Sequence, residues 1–141
     1  MLTREMLDRW KIRVEIDASE ECGYSVYHTA VKAGLAKNGK LIEKKLKVNK
    51  IYGKHKYVKN LDYYAVCFCA DLKVKTLTLQ RLVYAYFISD IPDGYEIDHK
   101  DSDRLNNKLD NLDLLTVKQN RQNKRFQCNQ WSYIKKEKEA C

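Results

Sequence analysis

The sequence lacks the features that mark several large classes of protein. It has one proline and five glycines in 141 residues and no low-complexity linker, which favours a single compact unit without internal repeats. No stretch approaches the roughly 18 consecutive apolar residues of a membrane-spanning helix. The first residues alternate charged and apolar side chains where a signal peptide would be hydrophobic. We therefore expect a soluble, cytosolic protein.

Cysteine is present, but not in a pattern typical of a zinc site or a disulfide framework. The residues are odd in number and form no Cys-x-x-Cys pair: Cys22, Cys67, Cys69, Cys128 and Cys141. We expect reduced thiols with structural roles. Cys67 and Cys69 would point the same way from one strand, and we expect that side to face the core.

Positive charge is abundant but unevenly distributed. The formal net charge is +8, from 27 Lys and Arg against 19 Asp and Glu. Residues 32–59 carry +9 and residues 117–141 carry +5, whereas residues 60–116 carry −4 and residues 1–31 carry −2. Two basic stretches around an acidic one are the usual electrostatic footprint of a polyphosphate partner. The lysine-rich stretch lacks the sustained apolar face of a membrane-surface helix.

Hydrophobic periodicity predicts a mixed α+β fold. The expected elements are, in chain order, a helix over residues 2–10, strands over 12–16 and 24–31, a hairpin of strands 63–69 and 73–79, and a helix over 79–87. Asn38-Gly39 is a strong tight-turn signal and predicts the tip of a basic hairpin.

The segment YEIDHKDSDRLNNKLDNLDLLTVKQNRQNK, which begins at Tyr95, concentrates polar side chains between short apolar runs. A strand over 96–99 ends in an Asp-His pair, and a second strand covers 113–115. Thr116 and Gln119 form the capping-box pattern that begins a helix, with Asn120 in its first turn. The order is therefore strand, polar loop, strand, helix. Because adjacent strand residues point to opposite sides, the Asp and His can serve one site only if the backbone turns there.

This segment resembles the ββα-metal core of the HNH endonucleases, also called the His-Me finger, in the H-N-N variant of phage- and intron-borne homing endonucleases. The resemblance rests on Asp98-His99, on Asn111-Leu112 after eleven further residues, and on Asn120, which is separated from Asn111 by eight residues. It extends over residues 63–124, including the upstream β-hairpin and helix. Gln80 departs from the pattern, since many members of the family have His there. This position lies outside the three H-N-N residues, His99, Asn111 and Asn120.

The resemblance implies a role for each of these residues. His99 would be the general base, since a neutral imidazole with a reference pKa of about 6.5 suits that task. Asp98 and Asn120 would hold Mg²⁺, Mn²⁺ or another divalent cation through oxygen atoms. Asn111 would tie down the loop and thereby fix the orientation of His99. The expected reaction hydrolyses a DNA phosphodiester to 3′-hydroxyl and 5′-phosphate ends.

The resemblance and the charge pattern together imply a domain plan and a partner. Residues 1–62 would be a basic, β-rich DNA-binding extension, residues 63–125 the nuclease core and residues 126–141 a basic tail. The partner would be double-stranded DNA, bound by a monomer or homodimer without an obligate protein partner. The place of action would be the cytoplasm of a bacterial host cell, in which the protein could be encoded by a phage. The residues expected to contact phosphates are Lys44, Lys45, Lys47, Lys54, Lys56, Lys118, Arg121, Lys124 and Arg125.

Two other functions fit the same sequence. One is a DNA-binding protein that retains the HNH fold without cleaving. The other is a nuclease that acts on RNA or on any DNA, such as a toxin, which would degrade all sequences where a homing-type enzyme gives discrete products. Asp101 and Asp103 are further carboxylates of the loop, but such residues are more often turn formers than metal ligands.

Overall fold

The computed structural model describes residues 1–31, 41–52 and 62–122, and within these ranges the predicted α+β class is confirmed. The elements are α1 (Arg4–Arg9), β1 (Ile12–Ile16), β2 (Tyr24–Val31), β3 (Leu41–Lys45), β4 (Asn49–Ile51), β5 (Tyr63–Ala70), β6 (Lys73–Thr78), α2 (Leu79–Phe87), β7 (Tyr95–His99), a 3₁₀ turn (Leu109–Asn111), β8 (Leu112–Thr116) and α3, described over residues 117–122. The turn predicted at Asn38-Gly39 lies outside the described residues.

The strands of the described ranges form three small antiparallel sheets, in the orders β1-β2-β3, β4-β5-β6 and β7-β8. The first sheet follows helix α1, whose N-terminus is capped by Thr3: its hydroxyl accepts a hydrogen bond from the Met6 amide at 3.1 Å. Val14 lies opposite Val26 in the β1–β2 pair, and both side chains are buried. This sheet thus contributes its own apolar face to the core.

The second sheet corrects one prediction. On β5 the buried residues include Tyr64, Val66 and Phe68, whereas Cys67 and Cys69 are exposed. The prediction that these two cysteines face the core was therefore wrong. The two cysteines do share one side of the strand, as their spacing predicts, but the larger apolar side chains occupy the inward side and leave the thiols exposed.

Helix α2 joins the sheets into one hydrophobic core. Leu79, Leu82 and Val83 are fully buried, as the apolar stripe predicted, and they belong to a cluster that includes residues of α1, β1, β2, β5 and β8. Leu2 and Ile91 add a short antiparallel bridge that fixes the N-terminal segment beside the turn leading into β7. No helix in the described ranges is long and apolar enough to cross a membrane.

The turn between β5 and β6 consists of two residues with positive φ, Asp71 at 52° and Leu72 at 60°. Two-residue turns of this type favour Asn-Gly or Asp-Gly. Asp71 suits its position, and its Oδ2 accepts a hydrogen bond from Trp10 Nε1 at 3.1 Å. Leu72 does not suit its position, because its side chain is fully exposed and gains no packing to offset the left-handed backbone.

We expect Leu72→Gly to raise the free energy of unfolding by about 0.5–1 kcal/mol, because glycine adopts positive φ without a steric cost. Leu72→Ala is the matched control, since it removes the exposed apolar side chain but keeps Cβ. Urea unfolding followed by circular dichroism compares the three proteins. Equal stability of the glycine and alanine variants would contradict the argument.

Candidate active site

Strand β7 ends where the Asp-His pair stands. Asp98 lies opposite Asp113 and His99 opposite Leu112 in the β7–β8 pair. His99 is the last residue of the strand, and its carbonyl accepts a hydrogen bond from the Ser102 amide at 2.9 Å, so the chain turns directly after it. The backbone turn that the sequence requires for both side chains to serve one site is therefore present.

The ring of His99 is held by a hydrogen bond inside the protein. Its Nε2 lies 2.8 Å from the Oδ1 of Asn107, and the two residues are only 6 % and 2 % exposed. An amide oxygen can only accept, so Nε2 carries the proton in this arrangement. The other ring nitrogen, Nδ1, then keeps its lone pair and can accept a proton.

Asn111 forms hydrogen bonds with the loop and not with the histidine ring. Its Oδ1 accepts from the Asp101 amide at 3.1 Å, and its Nδ2 donates to Asp101 Oδ1 at 2.9 Å and to the Asn106 carbonyl at 2.8 Å. Asp101 also accepts from Asn106 Nδ2 and from the Asp103 amide. Burial raises the pKa of Asp101, but these hydrogen bonds outweigh it and hold the pKa below its usual value. Asp101 thus organises the turn.

Helix α3 begins with the predicted capping box. The Gln119 amide donates to Thr116 Oγ1 at 3.1 Å, and the Thr116 amide donates to Gln119 Oε1 at 3.0 Å. This places Asn120 in the first turn with only 4 % of its surface exposed. Its Nδ2 donates to Glu96 Oε2 at 2.5 Å, whereas its Oδ1 is buried without a hydrogen-bond partner in the described part of the chain.

Asp98 and Asn120 each carry a side-chain oxygen of the kind that a hard divalent cation accepts. Asp98 is half-buried and makes no side-chain hydrogen bond or ion pair with any other described residue. A carboxylate oxygen and an unpartnered buried amide oxygen are ligands that Mg²⁺ accepts, with water and phosphate completing its shell. Residues 1–31, 41–52 and 62–122 contain no group of three or more His, Cys, Asp or Glu side chains placed to hold a metal by themselves.

The basic residues expected to contact DNA lie partly within the described ranges. Lys118 and Arg121 are exposed on α3 and flank the buried Asn120. The other described members are exposed on or just after β3, where Lys45 also pairs with Glu20: Lys44, Lys45 and Lys47. Lys54, Lys56, Lys124 and Arg125 lie outside the described residues, as does the tail 126–141.

Two residues in contact with the candidate site were missed by sequence reasoning. Asn107, and not Asn111, contacts the His99 ring; nothing in the Asn106-Asn107 pair indicates which side chain turns inward. Glu96 binds the amide of Asn120. It could have been found, because it lies two residues before Asp98 and therefore on the same face of the strand.

Known proteins resemble the region that contains this site. Residues 78–122, from the end of β6 into α3, match the family described as HNH endonuclease. Over 42 residues the chain is 48 % identical to the "SPbeta prophage-derived putative HNH homing endonuclease YosQ" of Bacillus subtilis (strain 168). That similarity covers 30 % of this chain and 24 % of the relative, so the chain matches about a quarter of the relative's length. No solved structure matches the chain. Residues 78–122 are therefore similar in sequence to the HNH endonuclease family.

Proposed function

We propose that this protein is a metal-dependent DNA endonuclease of the homing type, which hydrolyses phosphodiester bonds to 3′-hydroxyl and 5′-phosphate ends. The similarity of residues 78–122 to the HNH endonuclease family supports a nuclease. The observation that carries the proposal is the buried hydrogen bond between His99 and Asn107, which leaves one ring nitrogen able to take a proton. The prophage origin in the relative's name favours the cytoplasm of a bacterial host as the place of action.

In the proposed mechanism His99 acts as general base. Its Nδ1 accepts a proton from the attacking water while Nε2–H stays hydrogen-bonded to Asn107 Oδ1. This hydrogen bond fixes the tautomer, so the ring does not have to reorient before it accepts the proton. Asn111 and Asp101 keep the loop that carries Asn107 in place, which is how the asparagine of the motif contributes to catalysis in this proposal.

Asp98 and Asn120 are the proposed ligands of the divalent cation, which we expect to be Mg²⁺ or Mn²⁺. When bound, such a cation neutralises the negative charge that grows on the leaving 3′ oxygen. Glu96 accepts the hydrogen bond of Asn120 Nδ2, so Asn120 Oδ1, which has no hydrogen-bond partner among the described residues, would be the atom that binds the cation. Asp98 contributes the negative charge that attracts the cation.

Double-stranded DNA is the proposed substrate, and the exposed basic residues supply its affinity. Lys118 and Arg121 lie on the helix that carries Asn120, so phosphates bound there would be close to the proposed cation ligand. Lys44, Lys45 and Lys47 would extend the contact along β3 and the segment that follows it. These contacts would position the duplex without reading its sequence.

We expect the purified protein to convert supercoiled plasmid into nicked or linear product with Mg²⁺ or Mn²⁺, and EDTA to abolish this activity. His99→Ala should lower the rate by about 10²–10⁴-fold, because it removes the proton acceptor. Asn120→Ala should raise the Mg²⁺ concentration needed for half-maximal rate by about tenfold or more, because one oxygen ligand is lost. Asn49→Ala on β4 is the matched control for Asn120→Ala and should behave as the wild type.

Each other outcome of this assay has a definite meaning. Full activity of His99→Ala, or cleavage in EDTA, would refute the mechanism. The absence of product with every metal tested, while the protein still binds the plasmid, would identify a DNA-binding protein that does not cleave. Complete degradation of DNA, in place of discrete bands, would favour the toxin-like nuclease.

We also expect binding of a duplex oligonucleotide to weaken steeply with salt, because Lys and Arg displace counterions from phosphates. Lys118→Gln and Arg121→Gln should each reduce the slope of log K against log salt by about 0.9, the value for one neutralised phosphate. Lys73→Gln, which removes an exposed lysine of β6 outside the proposed set, is the matched control and should leave the slope unchanged. Fluorescence anisotropy at several salt concentrations gives the slopes, and a slope near zero for the wild type would contradict phosphate binding.

A further inference from the structure

A tyrosine of the first sheet contacts the loop that holds the candidate base. Tyr24, the first residue of β2, donates its hydroxyl proton to the backbone carbonyl of Asn107 at 2.5 Å. Tyr24 lies outside residues 78–122, the part of the chain that matches the HNH family. The contact therefore joins a strand from the N-terminal part of the chain to the residue that binds the His99 ring.

The donor in this contact is firmly placed. The Tyr24 side chain is only 5 % exposed and belongs to the hydrophobic core, where its ring lies 6.2 Å from the ring of Phe87. Its backbone pairs with Ile16 in the β1–β2 ladder. Burial raises the pKa of Tyr24 to about 12, so the hydroxyl keeps its proton and remains a donor at neutral pH.

The acceptor, in contrast, belongs to a loop. Hydrogen bonds among Asp101, Asn106 and Asn111 hold the more exposed side of this loop together. Asn107 lies on the inward side of the loop and is only 2 % exposed. Among the described residues it makes two hydrogen bonds, one from the Tyr24 hydroxyl to its backbone carbonyl and one between its side chain and His99 Nε2. Removing the tyrosine hydroxyl would leave a buried carbonyl without this partner, which is unfavourable unless the loop moves.

We propose that Tyr24 is a positioning residue for the general base: its hydroxyl holds the backbone of Asn107, whose side chain in turn orients the ring of His99. The first sheet thereby takes part in shaping the active site as well as in the expected DNA contact. This proposal rests on the proposed function for its catalytic consequence, whereas its structural content, the state of the His99 ring, can be measured without any cleavage.

Tyr24→Phe removes one oxygen atom and keeps the buried ring. We expect it to lower kcat for plasmid nicking by about 5–10-fold while KM for DNA stays the same, because small displacements of a catalytic group reduce turnover rather than binding. In the NMR spectrum at a pH where the ring is neutral, the ¹⁵N shifts of His99 should move away from those of the Nε2–H form. Tyr27→Phe, on the same strand but on its other face, is the matched control for both readouts.

A double-mutant cycle separates positioning from a general loss of stability. If Tyr24 acts through Asn107, then Tyr24→Phe should change kcat by less than about twofold in the Asn107→Ala background, because the side chain that it positions is already absent. Independent effects that multiply in the double variant would overturn the proposal. So would unchanged His99 shifts together with unchanged kcat in Tyr24→Phe.

Two further outcomes remain decisive. If the wild type cleaves no DNA with any metal, the proposed function fails, but the His99 shifts in Tyr24→Phe still decide whether the tyrosine orients the ring. If Tyr24→Phe does not fold by circular dichroism, the wild type itself provides the test. A Tyr24 hydroxyl proton protected from exchange would support the hydrogen bond to Asn107, and a freely exchanging one would overturn it.

Discussion

A buried polar group without a hydrogen-bond partner is costly, and the hydrogen bond between His99 and Asn107 removes such a cost in the loop between β7 and β8. His99 and Asn107 are both almost completely buried, so each would be costly without the other. The loop is long and polar, and it could adopt other conformations if it were held only at its ends. The pairing of these two side chains selects the conformation in which the histidine has one proton donor and one free nitrogen.

The same requirement explains why the N-terminal sheet and the HNH segment are packed together. The ring of Tyr24 packs in the hydrophobic core and its hydroxyl donates a hydrogen bond to the loop, so one side chain makes both an apolar and a polar contact. Leu2 and Ile91 add a backbone bridge between the chain's beginning and the turn before β7. The residues around the candidate site therefore depend on packing that begins well before residue 78, where the family match starts.

Local patterns in the sequence predicted most of the fold. The apolar stripe of α2, the alternation along β1 and the capping box at Thr116 each reflect interactions between residues a few positions apart, and such interactions can be inferred from spacing. Spacing could not predict whether Cys67 and Cys69 point inward or outward, because this depends on which face of β5 packs against the rest of the protein. Residue spacing predicts the period of a helix or strand, but it does not identify the residues against which each face packs.

The contacts within the candidate site show the same limit. Asn106 and Asn107 are neighbours of identical chemistry, yet one bonds to Asp101 near the surface and the other to His99 in the interior. Only the arrangement of the loop in three dimensions distinguishes them. The motif positions Asp98, His99, Asn111 and Asn120 were recognised by resemblance, and the proposed catalytic roles of these residues remain predictions.

The β7–β8 pair brings two carboxylates of the acidic middle segment together. Asp98 and Asp113 stand directly opposite each other, and like charges in this position destabilise a two-stranded sheet by a few tenths of a kcal/mol to about 1 kcal/mol. Asp98 has no cationic partner among the described residues, and Asn120 has a buried oxygen without a hydrogen-bond partner among them. Both features oppose stability in the protein alone. If Asp98 and Asn120 hold a divalent cation as proposed, the cation would lower both costs, because it would supply positive charge beside Asp98 and a partner to the amide oxygen.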